Sequence, residues 1–181
     1  GKVMEWGAKE RVLREPEHPY TKALMSAVPI AGEKRTRIIL RGDPPNLIDP
    51  PLACRFHPRC PAAFEICGWN AHEISEDLAY LLMGKYFTTF GDALKLQAED
   101  ERTLTIEGTS DARTIQEVVT REKDDARSLT GIESISSSDG KIVISLHAAV
   151  DPVMYRIADG REVNCLLFRP GASSPPAAAA R

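Results

Sequence analysis

Pro50-Pro-Leu-Ala-Cys54-Arg-Phe-His-Pro-Arg-Cys60-Pro-Ala-Ala-Phe-Glu-Ile-Cys67 holds three of the four cysteines of this chain and four of its thirteen prolines. Over residues 41–61 the prolines number six, Pro44, Pro45, Pro50, Pro51, Pro58 and Pro61, which leaves little room for helix or strand. A long irregular segment in a compact domain buries little apolar surface and needs another source of order. A bound metal or cluster supplies one. Thiolates are soft ligands suited to zinc and to iron–sulfur clusters. The gaps of five and six residues between the cysteines are wider than those of zinc knuckles. A cubane cluster is larger than one ion and tolerates wider loops, so the spacing leans toward iron–sulfur and leaves zinc open. Arg55 and Arg59 flank the thiolates and offset their charge. The competing readings are two disulfides or small buried hydrophobes. His57 is a weaker ligand than the thiolates; a His-Pro pair more often holds a turn or supports a ligand by a hydrogen bond. Cys165 stands far off in sequence. As a residue on a strand it reads as core packing, and only the count of four recommends it as a ligand.

Upstream, residues 2–6 read as a short strand and Arg11–Glu15 as a helical turn ended by Pro16. Pro19 suits the first helical position, and His18 before it is a cap. Tyr20, Ala23, Leu24, Ala27 and Val28 fall on one helical face, which Pro29 terminates. Downstream, Asn70 and Glu73 form a capping-box pattern before the stripe Ile74, Leu78, Leu81 and Leu82, with a stop at Gly84. A further helix through Phe87, Phe90 and Leu94 is expected. Glu73, Glu76 and Asp77 read as solvated surface rather than an acid–base pair. Residues 102–147 read as a β-α-β-β unit: a strand through Leu104 and Ile106, and a helix with Ile115, Val118, Val119 and Ala126 inward. A strand through Ile142, Ile144 and Leu146 follows the hairpin turn Asp139-Gly140. Val153, Tyr155 and Ile157 alternate before Asp159-Gly160, and the returning strand places Cys165 on the face of Val163 and Leu167. His72 and His147 read as ordinary surface or packing residues. The Ala-, Ser- and Pro-rich stretch 171–181 is expected to be disordered. The fold class is α+β.

Of the 181 residues 43% are hydrophobic and 27% charged, with a net charge of −3. There is no basic excess to bind nucleic acid or an anionic membrane surface. No apolar run approaches the roughly 20 residues of a membrane span, and the first residues lack the apolar core of a secretory signal. The expectation is a cytoplasmic protein without direct membrane insertion, whose thiols stay reduced. The phosphate loop G-x-x-x-x-G-K-S/T, the dinucleotide fingerprint, the nucleophile elbow and the H-E-x-x-H pair are all missing from the sequence.

Two stretches resemble one family. Glu17-His-Pro-Tyr-Thr-Lys-Ala-Leu24 with Ala27-Val-Pro29 is similar to the helix that follows the nucleotide-binding domain in ATP-binding subunits of oligopeptide/dipeptide ABC importers. Leu40-Arg-Gly-Asp-Pro-Pro45 and Pro50 to Pro61 resemble the block after it. Gly1–Gly7 resembles the last hairpin strand of the ATPase domain, and Gly160-Arg-Glu-Val-Asn-Cys165-Leu-Leu the closing motif. The resemblance is specific over 1–69 and 160–168 and loose between.

It implies the C-terminal region of a subunit that pairs with a second ATP-binding subunit. Together they drive peptide import through two membrane permease subunits, on the cytoplasmic side of the plasma membrane. Some members hold a 4Fe-4S cluster on cysteines matching Cys54, Cys60, Cys67 and Cys165, with zinc the alternative occupant of the same four. ATP and Mg would bind only in the intact parent, so the chain as given is expected not to be an enzyme. The expected domains are 1–7, a remnant of the ATPase strand; 8–69, the helix and cysteine loop; 70–150, an insertion; 151–170, a closing hairpin with the fourth cysteine; and 171–181, a tail. The alternatives are a free-standing zinc-binding interaction domain and a redox-responsive module.

Overall fold

The computed structural model describes residues 1–29, 36–40, 42–46, 48–91, 93–109 and 111–172. In chain order the elements are β1 (Glu5–Trp6), α1 (Lys9–Arg14), α2 (Pro19–Ser26), α3 (Ala71–Tyr80), α4 (Phe87–Phe90), β2 (Lys95–Ala98), β3 (Thr103–Glu107), α5 (Ala112–Glu122), β4 (Ile132–Ser138), β5 (Lys141–Leu146), β6 (Tyr155–Arg156) and β7 (Glu162–Val163). Helices and antiparallel sheets together make the fold α+β, as the residue pattern indicates. The chain divides into two compact units, residues 1–63 with 151–181, and residues 64–150.

The first unit is built on a small sheet in the order β1-β7-β6, all antiparallel. Gly160 takes a positive φ of 84° at the β6–β7 turn, a conformation glycine adopts without strain. β1 joins through the register Glu5↔Val163 and Trp6↔Glu162, and Asn164 N–H donates to the Met4 carbonyl at 2.8 Å. Between these strands sits Arg161, 4% exposed, whose guanidinium meets Glu5 at 3.1 Å, Asp159 at 2.7 Å and the Glu15 carbonyl at 2.5 Å. The Glu5 carboxylate also accepts from the backbone N–H groups of Glu17 and His18. These bonds tie the start of α2 to β1.

α2 begins as its sequence indicates, with His18 as the cap and Pro19 at the first turn. Its expected apolar face is only partly covered. Ala23 is buried, while Tyr20, Leu24 and Val28 are exposed at 38%, 46% and 46%. Helical spacing puts those side chains on one face but does not supply an element to cover it.

The second unit is a four-stranded antiparallel sheet in the order β2-β3-β5-β4. Leu104 and Ile106 of β3, and Ile142, Ile144 and Leu146 of β5, are fully buried, whereas Thr103, Thr105 and Glu107 between them are not. One face of the sheet is therefore core. Ala71, Ile74 and Leu78 of α3 and Ile115, Val118, Val119 and Glu122 of α5 are the buried helical residues. The Asn70–Glu73 capping box forms in full. Asp139 and Gly140 both have positive φ, 52° and 76°, the geometry of the tight hairpin turn expected there.

Four expectations in this unit are corrected. The helix does not stop at Gly84 but continues as a π-helical turn, Leu81–Lys85, and then as α4. That last helix ends at Gly91 (φ 69°), so Leu94 packs from outside it. Ala126 lies beyond α5, and Glu122 is the inward residue instead, accepting from Lys85 Nζ and Tyr86 Oη at 2.6 Å each. Asp77 is not mere surface: it accepts a hydrogen bond from the buried Ser128 hydroxyl. The sequence reading omitted β2, a short and mostly polar edge strand. The expected tail over 171–181 falls almost wholly outside the described residues.

Candidate cysteine site

Cys54 and Cys60 stand at the two ends of one compact run of turns. Ala53 precedes it with a positive φ of 51°, an uncommon conformation for a residue with a side chain. His57 N–H donates to the Cys54 carbonyl at 3.0 Å, and the His57 ring Nδ1 lies 2.7 Å from the same oxygen and donates to it. His57-Pro58-Arg59 is a single 3-10 turn, closed by Cys60 N–H on the His57 carbonyl at 3.1 Å; Ala63 N–H then returns to Cys60 O. The imidazole is fully buried. His57 thus holds the loop that carries the cysteines, the role its Pro neighbour suggested.

Cys165 follows β7 in extended conformation (φ −148°, ψ 131°) and opens the 3-10 turn Leu166–Phe168. It is not on the paired strand, as the alternation indicated, but on its direct continuation, and it shares burial with Val163. Leu167 belongs to the turn. Cys54 and Cys165, remote in sequence, belong to the same compact unit. Burial pushes the Cys165 thiol up to about 11, with Cys54 adding to the rise. Burial likewise raises Cys54, against hydrogen bonds from the Phe56 and His57 backbone. Both are protonated thiols at neutral pH, so binding a metal there releases protons.

Cys67 belongs to the second unit. It closes a turn, its N–H on the Phe64 carbonyl at 3.1 Å and its Sγ 3.4 Å from Phe64 N–H. No disulfide joins any of the four cysteines. Among the described residues no three His, Cys, Asp or Glu side chains converge closely enough to grip a metal ion.

His18 connects this locale to α2. Its ring is 1% exposed, and Nδ1 accepts the Tyr20 N–H at 2.9 Å. The ring centroid is 6.2 Å from that of Phe56, which lies within the cysteine loop, and Tyr20 meets Phe56 edge-on at 5.3 Å. Burial lowers the His18 pKa to about 4, so the imidazole is neutral at physiological pH. Among the described residues, Arg59 Nε and Asn164 Oδ1 are buried without a hydrogen-bond partner, and the Asn164 backbone lies within hydrogen-bonding reach of the His18 ring. In sequence His18 shows only as a cap; neither its burial against Phe56 nor the Arg161–Glu5 pair is visible there. No local pattern signals either, because each depends on residues distant in the chain.

His72 is exposed beside Glu76, as expected of a surface residue, and His147 N–H caps the Gly131 carbonyl. Among the described residues no helix is long and apolar enough to cross a membrane.

Residues 4–67 match the family described as Oligopeptide/dipeptide transporter, C-terminal region. The chain is 44% identical over 80 residues to the oligopeptide transport ATP-binding protein AppF of Bacillus subtilis (strain 168), an overlap of 42% of this chain and 24% of that protein. It is 46% identical over 68 residues to the oligopeptide transport ATP-binding protein OppD of Escherichia coli (strain K12), covering 37% of this chain and 20% of that one. The chain therefore spans about a quarter or less of the length of these curated relatives. No solved structure matches it.

Proposed function

We propose, from the match of residues 4–67 to the oligopeptide/dipeptide-transporter C-terminal region, that this chain is the accessory region of a peptide-importer ATP-binding subunit. The match over 4–67 carries the reading: it takes in β1, α1, α2 and the loop of Cys54 and Cys60 in one continuous segment. In that role the chain works beside a second ATP-binding subunit and two permease subunits, on the cytoplasmic face of the membrane. ATP and Mg bind to the nucleotide-binding domain of the parent subunit. Affinity capture of the tagged full-length gene product from detergent-solubilised membranes tests this. Co-elution of permease and partner ATPase supports the assignment, and elution without either refutes it.

The second part of the proposal concerns Cys54, Cys60, Cys67 and Cys165 as donors to a structural 4Fe-4S cluster. The donor chemistry suits it, since four thiolates are a complete ligand set for such a cluster. That Cys54, Cys60 and Cys165 belong to one compact unit favours it. Anaerobically prepared protein should be brown and contain iron and sulfide. A colourless preparation with one zinc per chain would replace this reading with the zinc-binding one.

A further inference from the structure

The sheet of the second unit ends in two outer strands that are not built alike. β2 is four residues long and opens on Lys95, whereas β4 runs for seven, Ile132–Ser138, with neither lysine nor proline. Proteins commonly guard a sheet edge with one of those residues or by keeping the edge short. Among the described residues no strand pairs with the outer side of β4.

Register fixes which backbone groups that side offers. Asp139 and Gly140, both at positive φ, make a two-residue turn, so the flanking pair Ser138↔Lys141 exchanges hydrogen bonds. Antiparallel pairs then alternate: Ser136↔Val143 is bonded, while Ser137↔Ile142 and Ile135↔Ile144 are not. The N–H and C=O groups of Ile135 and Ser137 therefore point away from β5, where another strand would lie. Ile135 is half-buried and continues the apolar row of Leu104 and Ile144. Ser134, Ser136 and Ser138 are exposed and alternate with it. A strand added here sets an apolar side chain beside Ile135 and polar ones beside the serines.

Charge selects the kind of strand. Glu133 and Asp139, both exposed, bracket the edge, and residues 64–150 hold sixteen Asp and Glu against eight Lys and Arg. The basic groups nearby offset this little: Arg102 reaches Glu133 only at 3.7 Å, and Lys141 is taken up by Glu107. A second copy paired antiparallel would bring the Glu133 end of each strand to the Asp139 end of the other, like charge against like. A segment with lysine or arginine at alternate positions is attracted instead. We propose that the outer edge of β4 binds an extended basic segment of a partner protein, added as a fifth strand through the backbone groups of Ile135 and Ser137.

The test titrates the full chain, labelled with 15N, with two synthetic heptapeptides, one alternating lysine with valine and one alternating glutamate with valine. The lysine peptide should bind saturably and slow hydrogen exchange at Ile135 and Ser137 by about tenfold or more, leaving Ser136 and Ser138, already bonded to β5, unchanged. The glutamate peptide should bind about tenfold more weakly or worse. Ser137→Pro removes one outward N–H and spares the bonds to β5, so it should abolish binding at an unchanged urea midpoint. The protection pattern in wild type needs no variant to fold. No binding of the lysine peptide, equal binding of the two peptides, or protection away from β4 would overturn the proposal. So would a chain that is dimeric without peptide and already protected at Ile135 and Ser137, which gives the edge to a second copy.

Discussion

Replacing Arg161 by Met keeps much of the side-chain volume and removes the charge. Arg161 is 4% exposed and the Glu5 side chain 1% exposed, and they meet at 3.1 Å. Without the guanidinium, Glu5 keeps only the backbone N–H groups of Glu17 and His18, and the Glu15 carbonyl loses its donor. Breaking one side of a buried ion pair costs about 3–5 kcal/mol, because the remaining charge stays desolvated. A small domain is stable by only about 5–15 kcal/mol, so the loss is a large fraction of the total. For a unit of this size the melting temperature should fall by at least about 12 °C. The Asn164 amide, bonded to Met4 across β1 and β7, reports on this unit alone. Its hydrogen-exchange protection should drop by about a hundredfold or more, at a factor of ten for each ~1.4 kcal/mol. The double variant Arg161→Met, Glu5→Leu removes both charges and should recover most of the loss. The reasoning fails if Arg161→Met leaves protection within about fivefold of wild type, less than ~1 kcal/mol. It fails equally if the double variant is no more stable than the single one.

Other outcomes follow from the same structure. Asn70→Ala removes the oxygen that accepts from Glu73 N–H, and should lower the stability of the second unit by about 1 kcal/mol in urea unfolding, with m unchanged. Gly131→Ala puts a methyl 2.5 Å from Trp69 Cβ and should cost about 1–3 kcal/mol, visible as an altered Trp69 emission spectrum; a native spectrum and midpoint would contradict that close packing. The His18 pKa is lowered from 6.5 to about 4, so the unfolded chain binds its proton first. The stabilisation is complete above about pH 6.5 and is lost as pH falls toward about 4, an effect on the order of 3 kcal/mol. His18→Asn should flatten that acid limb in pH-dependent unfolding of the metal-free chain, and an unaltered limb would assign it to other groups.

The local grammar of this protein was readable in its residues. His18 with Pro19 fixes where α2 starts, Asn70 with Glu73 where α3 starts, and Asp139-Gly140 where β4 turns into β5. These signals act over three or four residues through caps and turns, so they need no knowledge of the rest of the chain. Strict alternation at Leu104, Ile106, Ile142, Ile144 and Leu146 named the buried sheet face for the same reason. The π turn at Leu81–Lys85 was not legible, nor was β2, whose place depends on pairing with β3 rather than on its own polar residues.

For the site, the sequence by itself determined the donors: four cysteines, three of them in a loop too rich in proline to order itself by regular hydrogen bonds. Tertiary structure decided which of them share a burial environment. It paired β1 with β7, the strand that Cys165 continues, and it locked that pairing with Arg161 on Glu5. It also turned His18 from a helix cap into a buried neutral imidazole packed against Phe56. Composition and spacing register which groups a chain owns. Desolvation and long-range pairing, which set their protonation and their partners, exist only once the chain has folded.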